Sequence, residues 1–167
     1  MQTGSVSAEI TNAAGSHAFV LSSAAPDRVR DTIDAKAYEP WVGKRIIALW
    51  QHDHRQPIGT WENLTTKGGR LIGELKLAST NLAQMIKQLI EDDVPLGASL
   101  GFRGVGSPNK AGGTHFSAIE LLETSVVSVP AHPHAMRIAK SFGLSLHEQD
   151  GATLAVPDLS VECPREI

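Results

Sequence analysis

The sequence predicts a mainly β domain with flanking helices, an α+β fold, and three observations carry that expectation. Apolar runs recur between glycine and proline punctuation. One segment shows a sustained helical repeat. The order of elements lacks the regular strand and helix alternation of a doubly wound parallel sheet. An antiparallel barrel or sandwich is therefore expected, and 167 residues suit one such domain.

Residues 1–16 are small and polar with weak periodicity and read as a flexible arm. "HAFVLSS" from His17 to Ser23 opens the domain as a strand, and "APDRVRDTIDAKAYEPWVG" reads as loop with one helical turn before Pro40. "KRIIALWQ" is a buried strand. A turn over Gln56 to Gly59 then returns the chain to the sheet near Trp61. In "KGGRLIGELKLAST", Leu71, Gly73, Leu75 and Leu77 alternate with Arg70, Glu74 and Lys76, the pattern of a half-buried strand.

The period changes in "STNLAQMIKQLIEDD", where Leu82, Met85, Ile86, Leu89 and Ile90 share a helical face behind a Ser79, Thr80 or Asn81 cap. Pro95 stops that helix, and "LGASLGFRGVG" becomes a glycine-punctuated strand. "SPNKAGGTH" is a loop, "FSAIELLETSVVSVP" a long strand, and "HAMRIAKSF" a short helix. The domain thus runs over 17–142, with an unpatterned tail from 143 to 167.

A net charge of -3 gives neither a nucleic-acid footprint nor a polybasic membrane anchor. The lone Cys163 cannot form an intramolecular disulfide, and no segment has the length of a membrane span. A reducing, cytoplasmic setting is expected.

Strand spacing places Ile119, Leu121, Glu123, Ser125, Val127 and Val129 on one face, so Glu123 should be buried and need a histidine or arginine partner. A structural ion pair and a working site fit that pattern alike. In "LWQHDHRQPIGTW", His52 follows Trp50 at a strand end, where scaffolds present working groups. His54 points the same way, and His132 with His134 forms a second pair, so a metal-dependent hydrolase is one alternative; no acidic third ligand has recognisable spacing. Ser99 in "LGASLGF" lies among small residues that would let a substrate backbone approach, although a plain glycine-rich strand looks the same.

Taken together and in order, "LWQHD…PIGTW", "LGASLGF" and "ELLETSVVSVPAHPHA" resemble the prohead protease family of tailed bacteriophages, the capsid-maturation serine proteases. The resemblance runs from His17 to Ser141. It departs from the family pattern in "PAHPHA", where His132 and His134 replace asparagine or other residues. The resemblance implies the antiparallel β-barrel of the herpesvirus assembly proteases, with Ser99 as nucleophile and His52 as general base. Glu123 matches the family's glutamate and is the expected third member, with His54, His132 or His134 as alternatives. Oxyanion donors are expected from the backbone at Leu100 and Gly101, or from a loop containing Arg103.

No metal or cofactor is expected. Implied substrates are the capsid scaffold, the scaffolding segment of the major capsid protein precursor, and the protease itself, inside the immature capsid in the host cytoplasm. A homodimer fits, and residues 143–167 would serve as tether or self-cleavage segment. A non-catalytic capsid scaffold retaining the barrel is the other alternative.

Overall fold

A computed structural model describes residues 17–137, in which seven strands join one sheet. They are β1 (His17–Ser23), β2 (Thr32–Ile33), β3 (Ile46–Trp50), β4 (Asp53–Lys67), β5 (Arg70–Leu77), β6 (Gly97–Pro108) and β7 (Thr114–Val127). The strand order is β1-β5-β4-β3-β7-β2, with β6 also paired to β7. Adjacent pairs are antiparallel except that β3 and β2 run parallel to β7. Strand β7 is thus lined on one edge by β6 and on the other by β3 and β2.

The sheet is mainly β in content and curls into a half-barrel, bringing β6 back beside β1. Residues Ala135 to Arg137 bridge that seam: the Ala98 amide donates to the Ala135 carbonyl (2.8 Å) and the Val20 amide to the Met136 carbonyl (3.0 Å). Inside, Phe19 meets Trp61 edge-on at 5.3 Å, and both are fully buried with Tyr38, Ile58, Leu71 and Leu75. The Trp61 indole N–H donates to the Thr124 carbonyl at 2.8 Å, satisfying a buried donor and tying β4 to β7.

Helix α1 (Asn81–Glu91) packs against β4 and β5. Thr80 caps it by accepting from the Ala83 amide at 3.3 Å. Its buried seam is Ala83, Ile86 and Ile90, at the i, i+3, i+7 spacing; Met85, expected on that face, is 50% exposed.

Several other expectations are corrected. The return after β3 occurs at Gln51 and His52, with Trp50 opposite Asp53, and not at Gln56 to Gly59. Two register shifts in the β3–β4 pair absorb Pro57, which lies opposite Leu49. Gly59 stays in the strand because a Cβ there would strike the Lys76 carbonyl oxygen. The segment before β3 contains β2 and a 3-10 helix (Ala35–Trp41) that holds Pro40 within it. Strand β6 runs to Pro108, which shortens the expected loop.

Of the short helix expected over "HAMRIAKSF", the part up to Arg137 makes a turn and two β-bridges instead. Its remainder, the N-terminal arm over 1–16 and the tail over 143–167 lie outside the described residues.

Candidate active site

Glu123 is buried, but not among the apolar neighbours that a regular strand would give it. Gly101 pairs with Glu123 and Phe102 with Leu121, so Leu122 is an extra residue on β7. That bulge reverses the alternation: Leu121 enters the core, whereas Glu123, Ser125 and Val127 turn to the opposite face from core residues Ala98 and Val126. Val129, expected on the same face, lies beyond the strand and is exposed.

On that face the carboxylate is fully engaged. Glu123 Oε1 accepts from His52 Nδ1 at 2.7 Å, and Oε2 accepts from the Ser125 hydroxyl at 2.7 Å. The Ser125 oxygen in turn accepts from the His52 backbone amide at 3.0 Å. Because an ionised carboxylate only accepts, Nδ1 carries the imidazole proton and Nε2 keeps its lone pair. The hydrogen bond to Glu123, with the carboxylate's charge, raises the His52 pKa above its ordinary 6.5 despite partial burial.

His52 reaches this position from a costly turn. Gln51 and His52 are the two central residues between Trp50 and Asp53, and both have left-handed backbones, with φ of 52° and 59°. Such two-residue hairpin turns favour Asn-Gly, and each left-handed non-glycine residue costs roughly 1–2 kcal/mol. Partners on β7 and just beyond it hold the turn: the Gln51 amide donates to the Val126 carbonyl (3.0 Å), and the Gln51 side chain donates to Ser128 (3.2 Å).

The neighbouring acidic residue takes another role. Asp53 accepts from the Arg55 amide at 2.9 Å, from the Arg55 guanidinium at 3.1 Å and from Gln56 at 2.8 Å, contacts that hold its carboxyl well below the usual range. His54 is exposed.

Ser99 stands directly across from Ser125 in the β6–β7 ladder. Opposed residues in such a ladder have Cα atoms about 5 Å apart and side chains on one face. Ser99 and His52 therefore flank the same residue. Among the described residues the Ser99 hydroxyl makes no hydrogen bond, to His52 or to any other group. It borders a cleft of about 90 Å³ with Leu21, Ile33, Phe102, Asp27 and His132 at the β1–β6 seam, a cleft that neither His52 nor Glu123 lines.

The His132–His134 pair does not join this group. His132 Nε2 donates to the Ala25 carbonyl at 2.9 Å, and its Nδ1 accepts from the His134 amide at 3.2 Å. Burial pushes its pKa down, so both nitrogens are committed in the neutral ring. Among the described residues no three His, Cys, Asp or Glu side chains are grouped to hold a metal ion.

Two of the residues considered for oxyanion binding also acquire different descriptions. Arg103 lies within β6, not in a loop, and four residues of strand put it about 13 Å from Ser99. Gly101 has a steric duty, because a Cβ there would come within 2.8 Å of Glu123 Cδ and collide with Oε1. Gly101→Ala should displace the carboxylate and lower any activity of the site about 10²-fold or more, since misplacement near 1 Å has that cost. Turnover measured beside a thermal melt checks this.

Sequence reasoning missed Ser125, whose hydroxyl joins the carboxylate to the histidine backbone. The signal was present in "ETS": on a strand, Glu123 and Ser125 are two apart and share a face, so a buried serine there is the nearest donor to a buried carboxylate.

The chain is 29% identical over 127 residues to the capsid polyprotein of Pseudomonas phage PAJU2, a match covering 70% of this chain but only 18% of that relative. The family model described as caudovirus prohead serine protease matches residues 11–149, most of the chain. The chain belongs to the caudovirus prohead serine protease family.

Proposed function

We propose that this chain is a serine endopeptidase of capsid maturation, with Ser99 as nucleophile, His52 as general base and Glu123 as the group that orients and steadies the imidazole. The observation that carries the reading is the 2.7 Å bond from His52 Nδ1 to buried Glu123, formed beside the strand position that faces Ser99. A serine hydroxyl is a weak nucleophile until an adjacent imidazole takes its proton.

In this mechanism Ser99 Oγ attacks the scissile carbonyl carbon as its proton passes to His52 Nε2. The Glu123 carboxylate stays ionised and holds the imidazolium. Collapse of the tetrahedral intermediate breaks the C–N bond, and His52 returns the proton to the leaving amine. Water then hydrolyses the acyl–enzyme by the same proton route. Backbone amides at Leu100 or Gly101 are the nearest candidates for the oxyanion.

Ser125 is a rival alcohol on the same face, but it is fully buried and its hydroxyl both donates to Glu123 and accepts from His52. Ser99 has neither commitment among the described residues, and it faces Ser125 across the ladder, which supports it as nucleophile.

The substrates in this reading are scaffold, the scaffolding segment of the capsid protein precursor and the protease itself, cut inside the immature capsid. The half-barrel fits the herpesvirus assembly protease type of fold, and a homodimer belongs to the same reading. Incubation with a capsid precursor carrying its scaffolding segment should give defined fragments. A serine-directed inhibitor should block the cleavage and a chelator should not; cleavage that only the chelator stops would transfer the role to the paired histidines. Intact precursor under all conditions would favour a scaffold module.

A further inference from the structure

Among the described residues, the Ser125 hydroxyl bonds to both halves of the His52–Glu123 pair. It donates to Glu123 Oε2 at 2.7 Å, which fixes the carboxylate so that Oε1 faces the imidazole. It accepts from the His52 amide at 3.0 Å, which fixes the backbone of a residue at φ 59°. The second contact matters because the sequence of the turn does not favour its shape. Gln51 and His52 are both left-handed without the asparagine or glycine that such a turn prefers, so their conformation must be imposed from outside.

The contacts at Gln51 come from the Val126 carbonyl on β7 and the exposed Ser128 just beyond it. The Ser125 hydroxyl holds the His52 backbone itself. Ser125 is fully buried, lies between β3 and β6, and faces Leu49 on one side and Ser99 on the other, and its hydroxyl is engaged by Glu123 and the His52 amide.

We propose that Ser125 is a positioning residue, whose hydroxyl holds the strained Gln51–His52 turn and the Glu123 carboxylate in the one arrangement that directs His52 Nε2 toward Ser99. This rests on the peptidase reading above for its consequence, but the positioning itself is independent of turnover. A truncated side chain would leave the turn free to relax, letting the imidazole drift from Glu123 and removing the contact that raises its pKa.

The test uses the full chain with Ser125→Ala, and with Ser125→Cys as a variant that keeps more of the volume while being a weak donor and acceptor. NMR titration of the His52 imidazole, assigned through His52→Gln, is expected to show a pKa falling toward the ordinary histidine value in both. On a cleavable peptide, kcat should fall about 10- to 100-fold with KM within about twofold, the signature of lost geometry and not lost substrate binding. Adding Gln51→Asn to Ser125→Ala supplies a residue that adopts the left-handed conformation readily, and should restore several-fold of the lost kcat.

A His52 pKa unchanged or raised in folded Ser125 variants overturns the proposal, whatever happens to turnover. Absence of serine-dependent cleavage in the unmodified chain would instead overturn the peptidase reading, while the titration still decides the role of Ser125.

Discussion

Ser99→Ala is expected to lower cleavage by about 10⁴-fold or more while leaving the fold intact. The size follows from what remains: without the alcohol there is no covalent route, and comparable serine deletions cost up to about 10⁶ in kcat. The intact fold follows from the structure. The Ser99 hydroxyl has no hydrogen-bond partner among the described residues, so truncation strands no buried donor or acceptor, and a stability change within about 0.5 kcal/mol is expected. Fragment yield from a capsid precursor and a thermal melt, measured on the same preparation, check both halves. Full processing by a folded Ser99→Ala chain would refute the assignment.

Glu123→Gln should have the next largest effect, about 10³- to 10⁴-fold in kcat, because the amide keeps the volume but cannot steady an imidazolium. Its signature is in the pH profile. The Glu123 carboxylate raises the His52 pKa, so the imidazole stays protonated, and unable to act as a base, to a pH above the ordinary 6.5. Activity of the unmodified chain should therefore rise with pH through that elevated value, and in Glu123→Gln the same limb should move to lower pH.

The linkage to stability has the matching sign. A group whose folded pKa is raised contributes stability fully present below its unfolded value and lost as pH rises through its folded value. The advantage of His52 over a His52→Gln chain should accordingly shrink across that window. His52 is too exposed for the effect to be large.

What the sequence disclosed and what it concealed divide along physical lines. The boundaries of β1 and the extent of α1 follow from local pattern, because a short apolar run and a capped helical repeat each act within a few residues. The need of Glu123 for a partner was legible from burial alone, and so was the imidazole as a candidate. The turn at Gln51–His52 was hidden because neither residue signals one; its shape is imposed by β7, which is over 60 residues away in sequence.

The bulge at Leu122 was hidden for a similar reason. Nothing in "ELLETS" marks it, yet it turns Glu123 away from the core face that Leu121 occupies. The parallel pairing of β3 with β7 also depends on a crossover and leaves no local trace, although it sets His52 and Ser99 on either side of Ser125. The direction of the error is instructive: at both places strand periodicity was right locally and was overridden where the candidate site is built.

The most direct measurement is reaction of the folded chain with an irreversible serine-directed phosphonate, followed by peptide mapping. The account predicts a single adduct on Ser99, formed in step with loss of cleavage and suppressed in His52→Gln. Modification of Ser125 or another serine as cleavage is lost, or undiminished cleavage after Ser99 is fully modified, would contradict it.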